Sequence, residues 1–280
     1  MTADVREPMP AEEMPMEDEL IVFPMSFGQQ RMWFLDQFQP GSAFYNIPSA
    51  IRLTGELKVD ALRAALNEIV ARHEALRTTF AVVDGEPSQL IAPALTLDAP
   101  LIDLSSLPMA EREAEALRRA REEARQPFDL QTGPLLRAKL IRLSPREHIA
   151  LITMHHIVSD GWSMTVFVGE LGALYAAFNA GRPSPLPPLP IQYADYAEWQ
   201  REWLSGDVLK AEIAFWKDRL GNPPPPVLEL PGDRPRPAVQ SYRGANETFA
   251  LPREVSDGLL ALTRHEGATP FMALLAAFQT

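Results

Sequence analysis

Between an apolar run and a helical one the chain carries MHHIVSDGWS, Met154 to Ser163. His155 and His156 are adjacent, and Asp160 and Gly161 follow in the same short segment. Three uses fit these residue types. A metal site would need both imidazoles. A proton transfer would need one neutral imidazole, of ordinary pKa near ~6.5, against an attacking amine or hydroxyl. A purely structural use would bury one histidine, expose the other, and spend Ser159-Asp160-Gly161 on a turn and helix cap. Successive side chains on a strand point to opposite faces, so two histidines extending a strand cannot both reach one metal without a bend. The chain has no cysteine to complete such a set. No serine, cysteine or lysine nucleophile is signposted nearby, since Ser159 and Ser163 read as loop and helix-start residues. The remaining chemistry is direct transfer between two bound substrates, with no covalent enzyme intermediate.

The flanking sequence supplies a frame for that segment. LLRAKLIRLS, 135–144, alternates as a strand does, and Ser144-Pro145-Arg146-Glu147 turns it into HIALITM, 148–154. The second run is almost unbroken in its apolar character, which predicts a strand buried on both faces. It ends at the histidines, and strand ends are where α/β architectures place chemistry. SMTVFVGELGALYAAFNAG, 163–181, predicts the helix that follows, closed by Gly181. Upstream, Ser26 and Gln29 have capping-box spacing ahead of an apolar helical face to Phe38. Leu62, Leu66, Ile69, Val70 and His73 fall on one face of a second helix. FYNIPSAIRLT, 44–54, reads as a strand with Pro48 marking an edge or bulge. LRTTFAVV, 76–83, reads as another, with a hairpin turn at Asp84-Gly85.

Composition narrows the class. The net charge is −11, and residues 1 to 20 hold seven acids against Arg6 alone. That tail, 1–22, reads as a disordered acidic segment. The remainder is only mildly acidic and lacks the clustered cations a nucleic-acid partner would require. No stretch approaches the ~18 to 20 apolar residues of a membrane span. The N-terminus lacks the basic and apolar regions of a signal peptide. A soluble cytoplasmic protein is the expectation, with neither nucleic acid nor membrane as partner. Five prolines in RPSPLPPLP, 182–190, predict a connector between a first lobe, 23–181, and a further region, 191–280. The sequence stops inside a helical pattern, PFMALLAAFQT, which reads as a C-terminal truncation.

HHIVSDG matches the HHxxxDG motif of nonribosomal peptide synthetase condensation domains. HxxxDG alone is shared with the wider superfamily that includes chloramphenicol acetyltransferase. Three further stretches narrow the resemblance. SFGQQRMWFLDQF, 26–38, resembles the first motif of the family, SxAQxRLWxL, with Gly28 where alanine is common. RHEALRTTF, 72–80, resembles the second, RHExLRTxF. YADYAEWQ, 193–200, resembles the fourth, YxDYAxWQ. The resemblance spans residues 23 to 280 and includes only the beginning of the family's second lobe, without its later motifs.

The resemblance implies an α/β fold of the two-layer α+β kind, a chloramphenicol acetyltransferase-like lobe plus the start of a second. It implies peptide-bond formation between an upstream acyl or peptidyl thioester and the amine of a downstream aminoacyl thioester. Both would arrive on the 4'-phosphopantetheine of donor and acceptor peptidyl carrier proteins, beside an adenylation domain. The domain itself would bind no cofactor and no metal. By the same resemblance His156 is the functional histidine and His155 a structural one. Asp160 would orient the loop through an ion pair, with Arg77 or Arg72 as partner, and Gly161 would admit close backbone approach. Arg77 is read as opening a strand. Gln29, Arg31 and Trp33 are read as packing the first helix onto the lobe, and Tyr193, Asp195, Trp199 and Gln200 as a structural inter-lobe helix. SDGWS resembles the subtype that accepts an upstream L-residue. A CoA-dependent acyltransferase of the superfamily, a non-catalytic platform that recruits enzymes to a synthetase, and an inert fragment are the alternatives. The histidine pair, usually lost in such platforms, is intact.

Overall fold

The structure, a computed structural model, describes residues 20–221, 223–229, 232–235, 237, 244 and 247–280. Most of the expected acidic tail, residues 1–19, lies outside the described residues. The chain divides into two units, Met1–Val227 and Leu228–Thr280.

In the first unit the expected hairpin is present, with strands β6 (Leu136–Ser144) and β7 (Glu147–His155) joined through Pro145-Arg146. β2 (Asn46–Thr54) pairs antiparallel to β7, and the short β5 (Leu101–Asp103) pairs parallel to β6, giving the order β2-β7-β6-β5. Pro48 is tolerated because β2 is an edge strand. Alternation sorts the side chains onto two faces. Leu136, Ala138 and Leu140 of β6, with Ala150, Ile152 and Met154 of β7, share a core with α2 (Val59–Arg72) and α4 (Gly161–Asn179). Ile141, Leu143 and Leu151 face the opposite way, onto Ala116 of α3 (Met109–Arg125). The strand that ends at the histidines is therefore central and covered on both faces. The architecture is α/β as expected, with α3 covering the second face of this sheet.

A smaller antiparallel sheet has the order β1-β4-β3, built from β1 (Ile21–Pro24), β3 (Thr78–Val83) and β4 (Glu86–Ile91). Its hairpin turns at Asp84 and Gly85, with φ of 51° and 86°, the left-handed pair that an Asp-Gly turn demands. Under it lies a core of Met25, Phe80, Phe128, Leu130, Leu135 and Ile157, with Met32 and Trp33 of α1 (Phe27–Phe38) packed against it. The capping box forms as its spacing predicts. Ser26 Oγ accepts the Gln29 amide at 3.2 Å, and Gln29 Oε1 accepts the Ser26 amide at 2.9 Å.

Three sequence expectations need correction. The boundary drawn at residue 22 falls inside β1, which begins at Ile21. Arg77 does not open a strand; it ends a 3₁₀ turn, Glu74–Arg77, and β3 starts one residue later. Arg31 is exposed and does not pack α1, whereas Gln29 is buried and Trp33 partly so. The connector at 182–190 lies within the first of the two units. Helix α5 (Tyr193–Trp203), beyond that connector, belongs to the first unit and docks on the start of α1. Its Tyr193 hydroxyl lies 3.0 Å from Ser26 Oγ, its Gln200 Oε1 accepts the Phe27 amide at 3.0 Å, and its Arg201 donates to the Met25 carbonyl. α6 (Gly206–Leu220) follows it and buries no residue.

The second unit holds α7 (Arg253–His265) and α8 (Pro270–Gln279), the latter capped by Thr269. Among the described residues of these two helices, only Thr263 is buried. Among the described residues, no helix is long and apolar enough to cross a membrane.

Candidate functional site

Pairing with β2 sets the two histidines. His155 stands opposite Asn46, and the next amide, of His156, donates to the Tyr45 carbonyl at 2.8 Å. The ladder thus carries on to the second histidine before the chain turns, and Val158 N–H closes that turn on the His155 carbonyl at 3.1 Å. Alternation then separates the two rings. His155 is buried, with 2% of its surface exposed, while His156 is exposed.

His155 is held on every side. Its Nδ1 accepts the Ile157 amide at 3.1 Å, which leaves the ring proton on Nε2. Phe128 meets the ring edge-on at 6.0 Å, and Tyr45 sits tilted at 6.1 Å. Burial, and secondarily the neighbouring His156, push its pKa down to about 4. It is neutral throughout the physiological range. Behind Phe128 the Arg137 guanidinium stacks at 3.7 Å from the ring centroid. Arg137 in turn meets Glu123 at 2.5 Å, and the other Glu123 oxygen meets Lys139. His156 has the opposite character. Tyr45 approaches its ring edge-on at 6.4 Å, and its imidazole is open to an incoming group.

Asp160 is the N-cap of α4. Its Oδ1 accepts the Ser163 amide at 2.8 Å and the Ser163 hydroxyl at 2.7 Å. These hydrogen bonds, the amide first, hold its carboxyl below the ordinary value, and the charge of His156 adds a smaller share. The expected ion pair is not made. Arg72 is committed to Glu170 at 3.1 Å and to the Pro187 carbonyl; Arg77 is committed to Glu74 at 3.3 Å and the Ala92 carbonyl. Asp160 is exposed, so no buried cation depends on it. The short helix-capping bonds satisfy the carboxylate locally, where a long-range arginine would have to reach over the loop.

Gly161 opens α4. A Cβ there would meet nothing within 4 Å, and its φ is not in the left-handed region. Neither sterics nor backbone conformation therefore requires glycine at this position, and the space over its backbone is free. Trp162, 81% exposed, stands beside it. Residues to which the motifs gave no site role also shape the site. Tyr45 touches both histidines; Ser159 is buried with its hydroxyl unpartnered; Glu170 gathers Arg72 and His73. Tyr45 left a trace in the sequence as the residue entering the strand that pairs with β7, and Ser159 as a loop residue; the carboxylate of Glu170 left none.

The family model described as condensation domain matches residues 20–280. One of the proteins that make up the linear gramicidin synthase of Brevibacillus parabrevis is 54% identical over 257 residues, 92% of this chain and 3% of that protein. The X-domain from teicoplanin biosynthesis is a structural neighbour at a TM-score of 0.76 and 32% identity, covering 93% of this chain and 56% of that one. It has also been solved in complex with OxyB. The starter condensation domain of rhizomide synthetase RzmA shares the fold, at a TM-score of 0.66 and 23% identity, over 72% of this chain and 48% of its own. The chain thus spans about half the length of these solved chains and a small part of the synthetase.

Proposed function

The chain belongs to the condensation domain family, and on that footing we propose that it forms peptide bonds between carrier-bound thioesters in nonribosomal peptide synthesis. One observation carries the reading. Of two adjacent histidines the fold buries one in its neutral form and presents the other, His156, at the open end of a central strand. The amine of the acceptor aminoacyl thioester attacks the donor thioester carbonyl. A C–N bond forms, the C–S bond breaks, and the donor carrier's phosphopantetheine leaves as a thiol. His156 takes the proton from the attacking amine or holds the amine in line. A free α-amine has a pKa near ~8, so positioning contributes beside basicity.

In this reading His155 shapes the strand end, Asp160 fixes the turn that follows, and Gly161 leaves room for the acceptor. Arg72 and Arg77 support the surrounding frame. The phosphopantetheine arms belong to donor and acceptor carrier proteins, and an adjacent adenylation domain loads the acceptor. Loading by ATP-dependent adenylation is consistent with a cytoplasmic setting. No metal or cofactor of the domain's own enters the step. The motif SDGWS supports an upstream L-residue as donor.

The likeness to the X-domain supports a second reading, in which the same lobe recruits a partner enzyme. The intact, exposed His156 favours transfer. His156→Ala in the synthetase segment carrying this domain, assayed in single turnover with loaded donor and acceptor carriers, decides between them. Transfer predicts a loss of roughly 10² to 10⁴-fold in dipeptide formation. An unchanged rate would show that His156 is not the acting group.

A further inference from the structure

A cavity of about 290 Å³ adjoins the loop that follows His156. Its walls come from α2, from α4, from the loop at Val158 and Ser159, and from Leu189 of the proline-rich connector with Ile191 and Gln192 just beyond it. The first three walls are tied into the sheet core. The connector wall belongs to no helix or strand between 182 and 192. Ile191 in it is 66% exposed. Something other than backbone pairing must hold this wall in place.

Side chains do so: Leu186 packs against the core, and a set of polar bonds, one branch of which runs through a single carboxylate, ties down the rest. Glu170, on α4, accepts from Arg72 Nε at 3.1 Å through one oxygen and meets His73 Nε2 at 2.7 Å through the other. Its side chain is 13% exposed, as is that of Arg72. Arg72, so held, donates Nη1 to the carbonyl of Pro187 in the connector. Gln192 completes the tie with two bonds to the end of α2 and the turn beyond it. Its Nε2 donates to the Arg72 carbonyl at 3.0 Å, and its Oε1 accepts the Glu74 amide at 3.2 Å. His73 itself lines the cavity.

The structure assigns Glu170 a positioning role: by fixing Arg72 and His73 together it helps hold the segment 187–192, the end of the connector and the two residues after it, as the outer wall of the cavity beside the His156 loop. Removing the carboxylate frees Arg72 from α4, and the connector loses the anchor at Pro187 while the sheet is untouched. This assignment stands apart from the transfer reaction and does not require it.

The test is amide hydrogen exchange on the 280-residue chain, resolved at single residues. Two amides report on the wall: Glu74, bonded to Gln192, and Gln192, which donates to Asp195 Oδ2 at 2.7 Å. Glu170→Ala should raise exchange at both by about tenfold, with β6 and β7 amides within about twofold of the parent. Glu170→Gln keeps the side-chain shape and loses the charge, and should give a smaller rise at the same two amides. It carries the test if the alanine variant is insoluble. Glu198→Ala, at an exposed site on α5, should change neither reporter. Unchanged exchange at Glu74 and Gln192 in the Glu170 variants would overturn the assignment. So would a uniform rise through β6 and β7, which would make Glu170 a general stabiliser.

Discussion

At the scale of single residues, two neighbouring imidazoles have been given opposite environments. His155 binds its proton more weakly folded than unfolded. Between roughly pH 6.5 and 4 the unfolded chain takes up a proton that the buried ring refuses. The stability linked to this ring is complete above that window and falls as the pH drops through it, by on the order of 3 kcal/mol in total. His155→Gln should flatten that fall in urea-midpoint measurements from pH 7 to 4. His148 is also shifted down, by burial and then Arg142, so the difference between parent and variant is the relevant quantity. A variant with the parent's slope would mean that His155 titrates normally in the fold. Asp160 acts as a helix cap, which asparagine can also supply. Asp160→Asn should cost a few tenths of a kcal/mol and Asp160→Ala about 1 kcal/mol, read as denaturation midpoints. That the two rings part company was legible in the sequence from strand alternation, while which of them is exposed came from the family resemblance. The partners of Asp160, Arg72 and Arg77 were not, because which charged side chains meet depends on the packing of α2, α4 and the connector.

At the scale of elements, the motifs at 26–38 and 193–200 turn out to be two halves of one junction. The N-cap serine of α1 is also the partner of the first tyrosine of α5, and Gln200 and Arg201 grip the same helix start. Tyr193→Phe should therefore lower stability by about 1 kcal/mol in denaturant titration, and Ser26→Ala should cost more because it breaks a cap as well. Equal losses from the two would argue against the shared junction. Elements with strong local signals were legible: the capping box at Ser26, the Asp84-Gly85 turn, and the β6–β7 hairpin around Pro145. β1 was not, since four residues beside an acidic run form a strand only by pairing with β4. β5 escaped for the same reason, three residues held by a parallel neighbour.

At the scale of the whole molecule, apolar surface is distributed unevenly. α8 exposes Phe271, Leu274, Leu275 and Phe278, at 72%, 50%, 41% and 82%. Contiguous apolar patches of this kind favour association. The 280-residue chain should self-associate at micromolar concentration, and Phe271→Glu with Phe278→Glu should weaken that association about tenfold in sedimentation velocity. A parent chain that stays monomeric would refute this. The sheet has a different long-range property. β7 pairs on one side with β6 through a two-residue turn, and on the other with β2, so that His155 faces Asn46 from about a hundred residues away. Local hairpins close quickly, and distant strand pairs close late. On a ribosome the chain emerges with β2 long before its partner exists. Until β7 has been synthesised and inserted beside it, β2 has an unpaired edge and the Tyr45 carbonyl has no His156 amide to receive. The two histidines therefore take up their separate environments only at the last closing step of the sheet, and a nascent chain arrested before residue 155 would hold β2 open to other strands.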